Sequence, residues 1–423
     1  MTTGKPTSIR WRLYGLLLVV VTLTFIDRFN MNVAAKYIQQ EFALSDIEIG
    51  SLLSAFALGY ALFQAPGGWL GDRFGARRVL TGAIVWWSLF TALTAAAPDL
   101  AGVFPVGVAF WVVRFLIGVG EGPALPCTNK MIGRWMAVPE RARGSSLFLV
   151  AVGIGGAFTP PAIAWGMTHF GWRASFVACG ALGIAVAALW QWQSTETPGA
   201  HPGVNAEELA YIQAHRTPAL EAGPFPWRRL FSSTSIPALV IANFLLGYVT
   251  YIFYTWFFLY LVNVRKLPVM AGSYWSTVPF LAILVGAPLG GFVSDNMVRR
   301  LGHPWGRRVP VGLAAGTSCV LLLIGSRMED PYVAIGLLAV AAGCNSVAAV
   351  SSWALPNDLS ERYAGTLAGV LNTCTNLGGA LSPVLTPYLA GRFGWVAALD
   401  FAAGSMLCVG LLWMLVHPER RID

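Results

Sequence analysis

The sequence predicts an all-α polytopic membrane protein of about twelve transmembrane helices, arranged as two pseudo-symmetric six-helix bundles. Three observations support this prediction: an apolar composition, long apolar runs that recur along the chain, and an internal repeat. Of the 423 residues, 56% are hydrophobic and only 11% are charged, whereas about a quarter of residues carry charge in soluble domains. The composition therefore argues against a water-soluble fold.

The apolar runs are long enough to cross a bilayer. A crossing helix needs roughly 20 predominantly apolar residues, and its backbone polar groups must be satisfied within the span, which favours helices. We predict spans at residues 13–37, 48–70, 78–97, 104–129, 144–168, 172–194, 235–262, 271–294, 309–327, 331–355, 363–390 and 394–416.

The basic residues indicate the orientation of these spans. A net charge of +8 would raise nucleic acid as a partner of a soluble protein. If the N-terminus is cytoplasmic, however, 20 of the 28 basic residues face the cytoplasm, 6 face the outside, and Arg28 and Arg114 lie within spans. By the positive-inside rule we expect both termini in the cytoplasm, and a lipid bilayer rather than nucleic acid as the partner of this charge.

One long polar stretch divides the chain. We predict an N-terminal six-helix bundle over residues 1–194, a cytoplasmic linker over residues 195–234 and a C-terminal six-helix bundle over residues 235–423.

The two predicted bundles repeat each other. Phe170-Gly171-Trp172 returns as Phe393-Gly394-Trp395, and Asp72 returns at the same offset as Asp295. A third landmark, residues 140–144, returns at nearly that offset as residues 361–365. Landmarks at nearly one offset are difficult to obtain by chance, so the second bundle is a repeat of the first.

A charged loop follows the second span, with the sequence Gly68-x-x-x-Asp72-Arg73-x-Gly75-x-Arg77-Arg78. A carboxylate at a helix end can accept hydrogen bonds from the N-terminus of a neighbouring helix, and the arginines can pair across the inner face. We interpret this loop, together with Asp295 in the second half, as a conformational latch. Positive-inside anchoring alone would explain the arginines but not Asp72.

Four ionisable residues occur where the chain should be apolar. Asp27 and Arg28 lie in the first span, and Arg114 and Glu121 lie in the fourth. Each such group costs roughly 2.5–3.5 kcal/mol at a helix centre, so these side chains should face the interior of the bundle. From the rise per residue, Asp27 lies about 21 Å and Arg114 about 15 Å into their spans, both near the midplane.

This depth allows Asp27 to pair with Arg114. Neighbouring residues point about 100° apart around a helix, so Arg28 would then remain for a substrate carboxylate. Glu121 lies two turns beyond Arg114 on the same face, a spacing that suits a second protonation site. The alternative is a fixed, charge-compensated cluster that only sets the register of the helices.

These motifs resemble a known family. The segments are Phe25-Ile26-Asp27-Arg28-x-Asn30, Gly59-Tyr60 with Gln64, and Arg114-x-x-x-Gly118-x-x-Glu121-Gly122. Together with the signature loop and the six-span repeat, they resemble the anion:cation symporters of the major facilitator superfamily, whose site lies between the two halves. Its bacterial members include galactonate, glucarate, hexuronate and aromatic-acid permeases.

The resemblance implies roles for the charged residues. By analogy with proton-coupled sugar-acid members, Asp27 and Glu121 take up protons, Arg28 and Tyr60 hold the carboxylate, and Arg114 pairs with Asp27. It also implies a bacterial inner (cell) membrane location, protons as the coupling ion with no other cofactor, and we expect a monomer.

The second half supplies neutral polar candidates for substrate binding. These are Ser351, Ser352, Trp353, Asn372 and Asn376, and Gln64 joins them from the first half. Family members use this region for the hydroxyl groups of a sugar acid, although helix packing also explains each serine. Thr250 stands where Asp27 stands in the first half, and no arginine lies nearby, so a second cationic clamp for a dicarboxylate is missing.

The resulting hypothesis is a proton-coupled symporter that imports a small organic anion, a sugar acid (aldonate, aldarate or uronate), by alternating access. The alternative within transporters is an aromatic monocarboxylate permease for benzoate- or phthalate-type anions. An enzyme is not expected, because the 6 cysteines and 5 histidines form no metal-binding or nucleophilic arrangement. A channel is disfavoured, because the buried charges form no pore-lining series.

Overall fold

The computed structural model describes residues 5–102, 105–137, 140, 147–214, 235–359 and 364–417. The repeated landmark at residues 141–144 and 361–363, and residues 215–234 of the predicted linker, lie outside this part of the chain. The α-helices are α1 (Ile9–Phe42), α2 (Asp46–Phe74), α3 (Ala76–Leu93), α4 (Val106–Glu121), α5 (Ala124–Trp135), α6 (Leu147–Gln193), α7 (Ala206–Ala214), α8 (Ser235–Tyr251), α9 (Phe257–Leu259), α10 (Val269–Trp275), α11 (Val278–Leu301), α12 (His303–Arg327), α13 (Pro331–Leu359) and α14 (Ala364–Met414). Short 3₁₀ helices occur at Thr94–Gly102 and Pro198–Ala200, and π-helical turns at Ile252–Trp256 and Tyr260–Val264 flank α9.

The described residues contain the predicted membrane-crossing helices. Ten helical segments among them are long and apolar enough to span a bilayer. The two longest, α6 and α14, each contain one glycine with non-helical backbone angles, Gly171 (φ 80°) and Gly394 (φ 87°). A positive φ is readily adopted only by glycine, so each residue ends one span and begins the next. The described part of the chain thus contains twelve such segments, and the fold class predicted from the sequence is confirmed.

The molecular surface of these helices is apolar. Large hydrophobic side chains are exposed along the spans, and Trp192 is 80% exposed. A soluble monomer rarely presents contiguous apolar surface of this extent. The exposed side chains instead suit the hydrocarbon of a bilayer, as expected for a multi-pass membrane protein.

Contacts between residues divide the chain into two units. The first comprises residues 1–31, 58–155 and 165–219, and the second comprises residues 32–57, 156–164 and 220–423. The predicted domain boundaries at residues 194 and 235 remain a prediction.

Within the second unit, the segment that joins α1 to α2 contacts C-terminal helices. Lys36 Nζ donates to Asn263 Oδ1 at 2.6 Å, and the Ser54 hydroxyl donates to the Ala380 carbonyl. Gly50 packs so closely against Pro383 that a Cβ there would collide with the proline carbonyl oxygen. These contacts join one end of the N-terminal helices to the C-terminal helices.

A buried carboxylate fixes the start of α1 within the first unit. The Glu208 side chain on α7 accepts hydrogen bonds from Thr7 Oγ1 (2.5 Å) and Arg10 Nη1 (2.8 Å). Burial acts to raise the pKa of Glu208, but the hydrogen bonds from Thr7 and Arg10 outweigh it and hold this pKa below its ordinary value. The start of the linker is therefore tied to the N-terminus, a contact that the sequence did not predict.

Glycines allow α2 to approach the junction between α4 and α5. A Cβ added at Gly67 would lie 2.6 Å from Pro123 Cα, whereas one added at the adjacent Gly68 would meet only Pro126 Cβ, at an ordinary 3.5 Å. The first contact involves backbone that cannot move away locally, and the second leaves room for a methyl group.

We therefore predict that Gly67→Ala destabilises the protein and that Gly68→Ala, its matched control, does not. Overpacking of this kind costs about 1–3 kcal/mol, which should lower the midpoint of thermal unfolding of the purified protein. Equal midpoints for the two variants would show that α2 and Pro123 are not in close contact.

Candidate functional site

The site begins with three fully buried charged groups. Asp27 on α1 and Arg114 on α4 are each 2% exposed, and Glu121, the last residue of α4, is 0% exposed. All three lie in the first unit together with Arg28. Burial of a charge is costly unless an opposite charge or hydrogen bonds compensate it, so their mutual arrangement determines what this region can do.

Arg28 and Glu121 form an ion pair between α1 and α4. Arg28 Nη2 lies 3.3 Å and Arg28 Nε lies 3.4 Å from Glu121 Oε2. The guanidinium carbon also lies 4.6 Å from the centre of the Tyr60 ring and 5.2 Å from that of Phe25. Two aromatic faces and one carboxylate thus surround the cation, a favourable environment for a guanidinium.

This pairing differs from the expectation that Arg28 is left for a substrate while Asp27 holds Arg114. The Arg28 side chain is long enough to reach Glu121 on α4. An estimate of depth from backbone positions does not include the length of the side chain. Asp27 lies within electrostatic range of Glu121, Arg114 and Arg28. The direct pairing of Asp27 with Arg114 remains a prediction.

Two carboxylate oxygens in this cluster have no hydrogen-bond partner among the described residues. They are Asp27 Oδ1 and Glu121 Oε1. With two acidic and two basic groups, the cluster is neutral overall when all four are ionised. A carboxyl group with an unused oxygen in such a place can bind a proton or face a ligand.

The local sequence explains why Glu121 stands at the end of α4. Proline lacks a backbone N–H, so Pro123 cannot donate to the Val119 carbonyl and the helix is interrupted. Gly122 and Pro123 keep right-handed helical backbone angles, so the chain continues from α4 into α5 with this one hydrogen bond missing. Glu121 therefore lies inside one apolar segment, Val106–Trp135, where the Arg28 guanidinium compensates its charge.

α2 contributes Tyr60 and Gln64, one helical turn apart. Tyr60 is buried and lies beside both Arg28 and Gln64. Both residues were predicted from the sequence to bind substrate, and the structure places them in the first unit next to the ion pair.

The predicted polar residues of the second half form a separate group within the second unit. Tyr251 donates to Asn376 Oδ1 at 3.1 Å, and Asn376 Nδ2 donates to Asn372 Oδ1 at 3.2 Å. Ser351 Oγ donates to the backbone of its own helix, and the buried Ser352 Oγ has no partner among the described residues. The side chains of Trp353 and Asp295 lie outside the described part of the structure.

The predicted latch loop is organised differently from the expectation. Asp72 forms an ion pair with Lys130, while the N-terminus of α3 is capped by Glu196. The Ala76 and Arg77 amides each donate to a Glu196 carboxylate oxygen at 2.9 Å. The first amides of a helix have no acceptor within that helix. For α3, the acceptor is the Glu196 carboxylate, which lies in the chain that follows α6.

The arginines of this loop take different positions. Arg77 Nε donates to Ser194 Oγ at 3.2 Å, and Arg73 lies over the Trp69 ring at 5.4 Å. Arg134, from α5, pairs with Glu196. From the sequence, Glu196 was assigned only to the linker. Its position directly after the sixth span, on the same side of the membrane as the loop, is the signal that could have indicated its role as the cap of α3.

Comparison with known proteins identifies the family. The sequence profile described as "Major Facilitator Superfamily" matches residues 17–383 and 275–423. The chain belongs to the Major Facilitator Superfamily. A bacterial homologue of the human lysosomal transporter Spinster, solved in an inward-facing, unoccupied conformation, shares the fold with a TM-score of 0.73 at 20% identity over 96% of this chain and 95% of that one.

Relatives over the full length of this superfamily member are transporters of organic acids. The probable galactarate/D-glucarate transporter of Bacillus subtilis is 29% identical over 99% of this chain and 94% of its own length. The probable sulfoacetate transporter of Cupriavidus necator is 31% identical over 98% and 95%. The D-galactonate transporter of Escherichia coli O6:H1 is 30% identical over 98% and 97%. These relatives confirm the predicted family, and the protein is a transporter, not an enzyme.

We predict that Arg28 and Glu121 stabilise the protein as a unit. Arg28→Gln or Glu121→Gln alone leaves the other charge buried, which costs about 3–5 kcal/mol in buried pairs, whereas the double variant removes both charges. Thermal unfolding of the purified protein should therefore show the double variant to be far less destabilised than the sum of the single variants.

The matched control is the Asp72–Lys130 pair, in which the Asp72 side chain is 70% exposed. Exposed ion pairs contribute about 0–1 kcal/mol, so Lys130→Gln should change the unfolding midpoint little. Strictly additive effects of the two single variants at Arg28 and Glu121 would contradict the pairing.

Proposed function

We propose that this transporter is a proton-coupled symporter that imports a small organic anion, a sugar acid, by alternating access. The observation that carries the proposal is the Arg28–Glu121 ion pair at 3.3 Å, buried beside Asp27 and Arg114. It presents a cation to an anionic substrate and, in the same contact, a carboxylate that the substrate can replace.

Competition for Arg28 couples the anion to a proton. A substrate carboxylate that contacts the guanidinium takes the place of Glu121, and Tyr60 remains stacked on the cation. Glu121 then keeps a buried charge without its closest counter-charge, which favours uptake of a proton. Asp27, with one unused oxygen among the described contacts, is the second proton carrier, and Arg114 balances whichever carboxylate is ionised.

The substrate class follows from the remaining polar groups. Gln64 in the first half and Ser352, Asn372 and Asn376 in the second half can bind hydroxyl groups, which a sugar acid carries along its length. The galactarate/D-glucarate and D-galactonate transporters among the relatives support this class. The sulfoacetate relative favours a second candidate, a small sulfonated acid without hydroxyl groups.

Orientation and assembly complete the proposal. The excess of basic residues on one side supports cytoplasmic termini. We further propose that the protein is a monomer in the inner membrane of a bacterial cell. The loop that contains Asp72, Arg73, Arg77 and Arg78 serves as the conformational latch, held within the first half by Lys130 and Glu196.

In proteoliposomes, an inwardly directed proton gradient should drive accumulation of radiolabelled D-galactonate. Asp27→Asn and Glu121→Gln should each abolish this accumulation, because each removes one proton carrier. Asp400→Asn is the control, since Asp400 pairs with Arg327 far along the sequence from the cluster and should transport normally.

The same assay separates the substrate classes. Excess D-gluconate, another hydroxylated monocarboxylate, should compete with labelled galactonate, whereas benzoate and sulfoacetate should not. Accumulation that continues undiminished in both acidic-site variants would refute proton coupling at these residues; inhibition by benzoate alone would instead establish the aromatic-acid alternative.

A further inference from the structure

The internal repeat can be placed in register by helix packing. In the first half, Gly67 packs on Pro123, since an added Cβ would lie 2.6 Å from Pro123 Cα. In the second half, Gly290 packs on Val347 in the same way, with 2.8 Å to Val347 Cα. The two glycines stand at an offset of 223 along the chain, and their partners stand at an offset of 224.

The neighbouring contact gives the same register. Gly68 faces Pro126 at 3.5 Å, and Gly291 faces Val350 at 3.8 Å, which are again offsets of 223 and 224. α11 therefore corresponds to α2, and α13 corresponds to α4 and α5 with one additional residue. Equivalent positions therefore differ by 223 between α2 and α11, and by 224 between the α4–α5 segment and α13.

In this register the acidic residues of the first half have neutral counterparts. Asp27 corresponds to Thr250 at an offset of 223, and Glu121 corresponds to Asn345 at an offset of 224. The two counterparts touch: Asn345 Nδ2 donates to Thr250 Oγ1 at 2.7 Å, and the Thr250 hydroxyl donates to the Leu246 carbonyl at 2.8 Å. A neutral hydrogen bond thus joins α8 to α13. The equivalent helices of the first half, α1 and α4, carry the charged residues Asp27 and Glu121 at these positions.

One polar atom of the Asn345–Thr250 pair makes no hydrogen bond within the described part of the structure. Asn345 is 4% exposed, and its Oδ1 has no hydrogen-bond partner among the described residues. A buried acceptor without a donor costs about 1–3 kcal/mol, and such an atom in a native protein calls for a ligand or a water molecule. Because Thr250 holds the amide nitrogen, the side chain cannot turn to use the oxygen elsewhere without losing that bond.

A second unused group lies on the same face of α13. Ser352 follows Asn345 by two helical turns, or about 10 Å along the axis. Its hydroxyl is buried and also lacks a partner among the described residues. One stripe of this helix therefore offers an acceptor and a hydroxyl over a span comparable to the length of a six-carbon acid.

We propose that Asn345 Oδ1 accepts a hydrogen bond from a hydroxyl group of the transported anion, and that Thr250 is the positioning residue that aims it. The proposal rests on the proposed function and narrows its substrate class to hydroxylated acids. A carbonyl oxygen attracts a hydroxyl donor and repels a carboxylate or sulfonate, so Asn345 selects against anions that lack hydroxyl groups.

Ligand binding by the purified full-length protein tests the proposal. The ligands are D-galactonate and its monodeoxy analogues, each of which lacks one hydroxyl group, and the readout is the Kd from calorimetry. Asn345→Leu should weaken galactonate binding about 10-fold, the effect of one hydrogen bond to a buried group. One monodeoxy analogue should bind the wild-type protein about 10-fold more weakly than galactonate, for the same reason, and should lose nothing further in Asn345→Leu.

Two further variants separate ligand binding from helix bracing. Ser346→Ala, at the buried neighbour whose hydroxyl donates to the Gly343 carbonyl at 2.7 Å and lies 3.5 Å from the Ile283 carbonyl, should leave all Kd values unchanged. Thr250→Val removes the hydrogen bond that positions Asn345 but leaves Asn345 Oδ1 in place. This variant should weaken galactonate binding less than Asn345→Leu does. Asn345→Ala replaces Asn345→Leu if the larger side chain prevents folding, with the same expected result.

The outcomes distinguish this inference from the proposed function. If galactonate binds Asn345→Leu as tightly as the wild-type protein, or if every monodeoxy analogue loses the same further affinity in the variant, the atom serves a water molecule or helix bracing and the inference is wrong. If the wild-type protein binds sulfoacetate but no sugar acid, the proposed substrate class and this inference both fail.

Discussion

Charge neutrality inside a low-dielectric bundle is the constraint on which the rest of the structure depends. A carboxylate or guanidinium within a membrane span is stable only beside its opposite. Asp27, Arg28, Arg114 and Glu121 provide two of each sign on two helices. The close contact of Gly67 with Pro123 brings α2, which carries Tyr60, next to the end of α4.

The same constraint makes the cluster responsive. An anion that enters adds a negative charge, and neutrality is restored if one carboxyl group binds a proton. Glu121 is fully buried, so its charge depends on Arg28 for compensation. In the proposed function, coupling arises because the substrate and the proton act on the same ion pair.

The second half preserves the packing of the first but not its charge. Gly290 and Val347 reproduce the contact of Gly67 and Pro123, and Gly394 reproduces the backbone conformation of Gly171. At the positions of Asp27 and Glu121, however, Thr250 and Asn345 share a neutral hydrogen bond. The two halves thus share a packing scaffold, and in the proposed function the first half supplies the charged groups and the second half the polar ones.

Much of the fold could be predicted from the sequence, because apolar runs and basic loops report directly on the bilayer. The repeat around Gly171 and Gly394 located the breaks that divide two very long helices. Contacts that depend on a long side chain or on a distant segment could not be predicted. Arg28 reaches Glu121 because a guanidinium side chain extends well beyond its backbone, and Glu196 caps α3 because the chain folds back after α6; neither follows from helix periodicity.

The proposed uptake of a proton by Glu121, when an anion displaces it from Arg28, can be measured directly. Calorimetry of D-galactonate binding in buffers of different ionisation enthalpy gives the number of protons that the purified protein takes up or releases. We predict net proton uptake on binding in the wild-type protein and its reduction in Glu121→Gln. Tight binding with no proton exchange in any buffer would contradict the account.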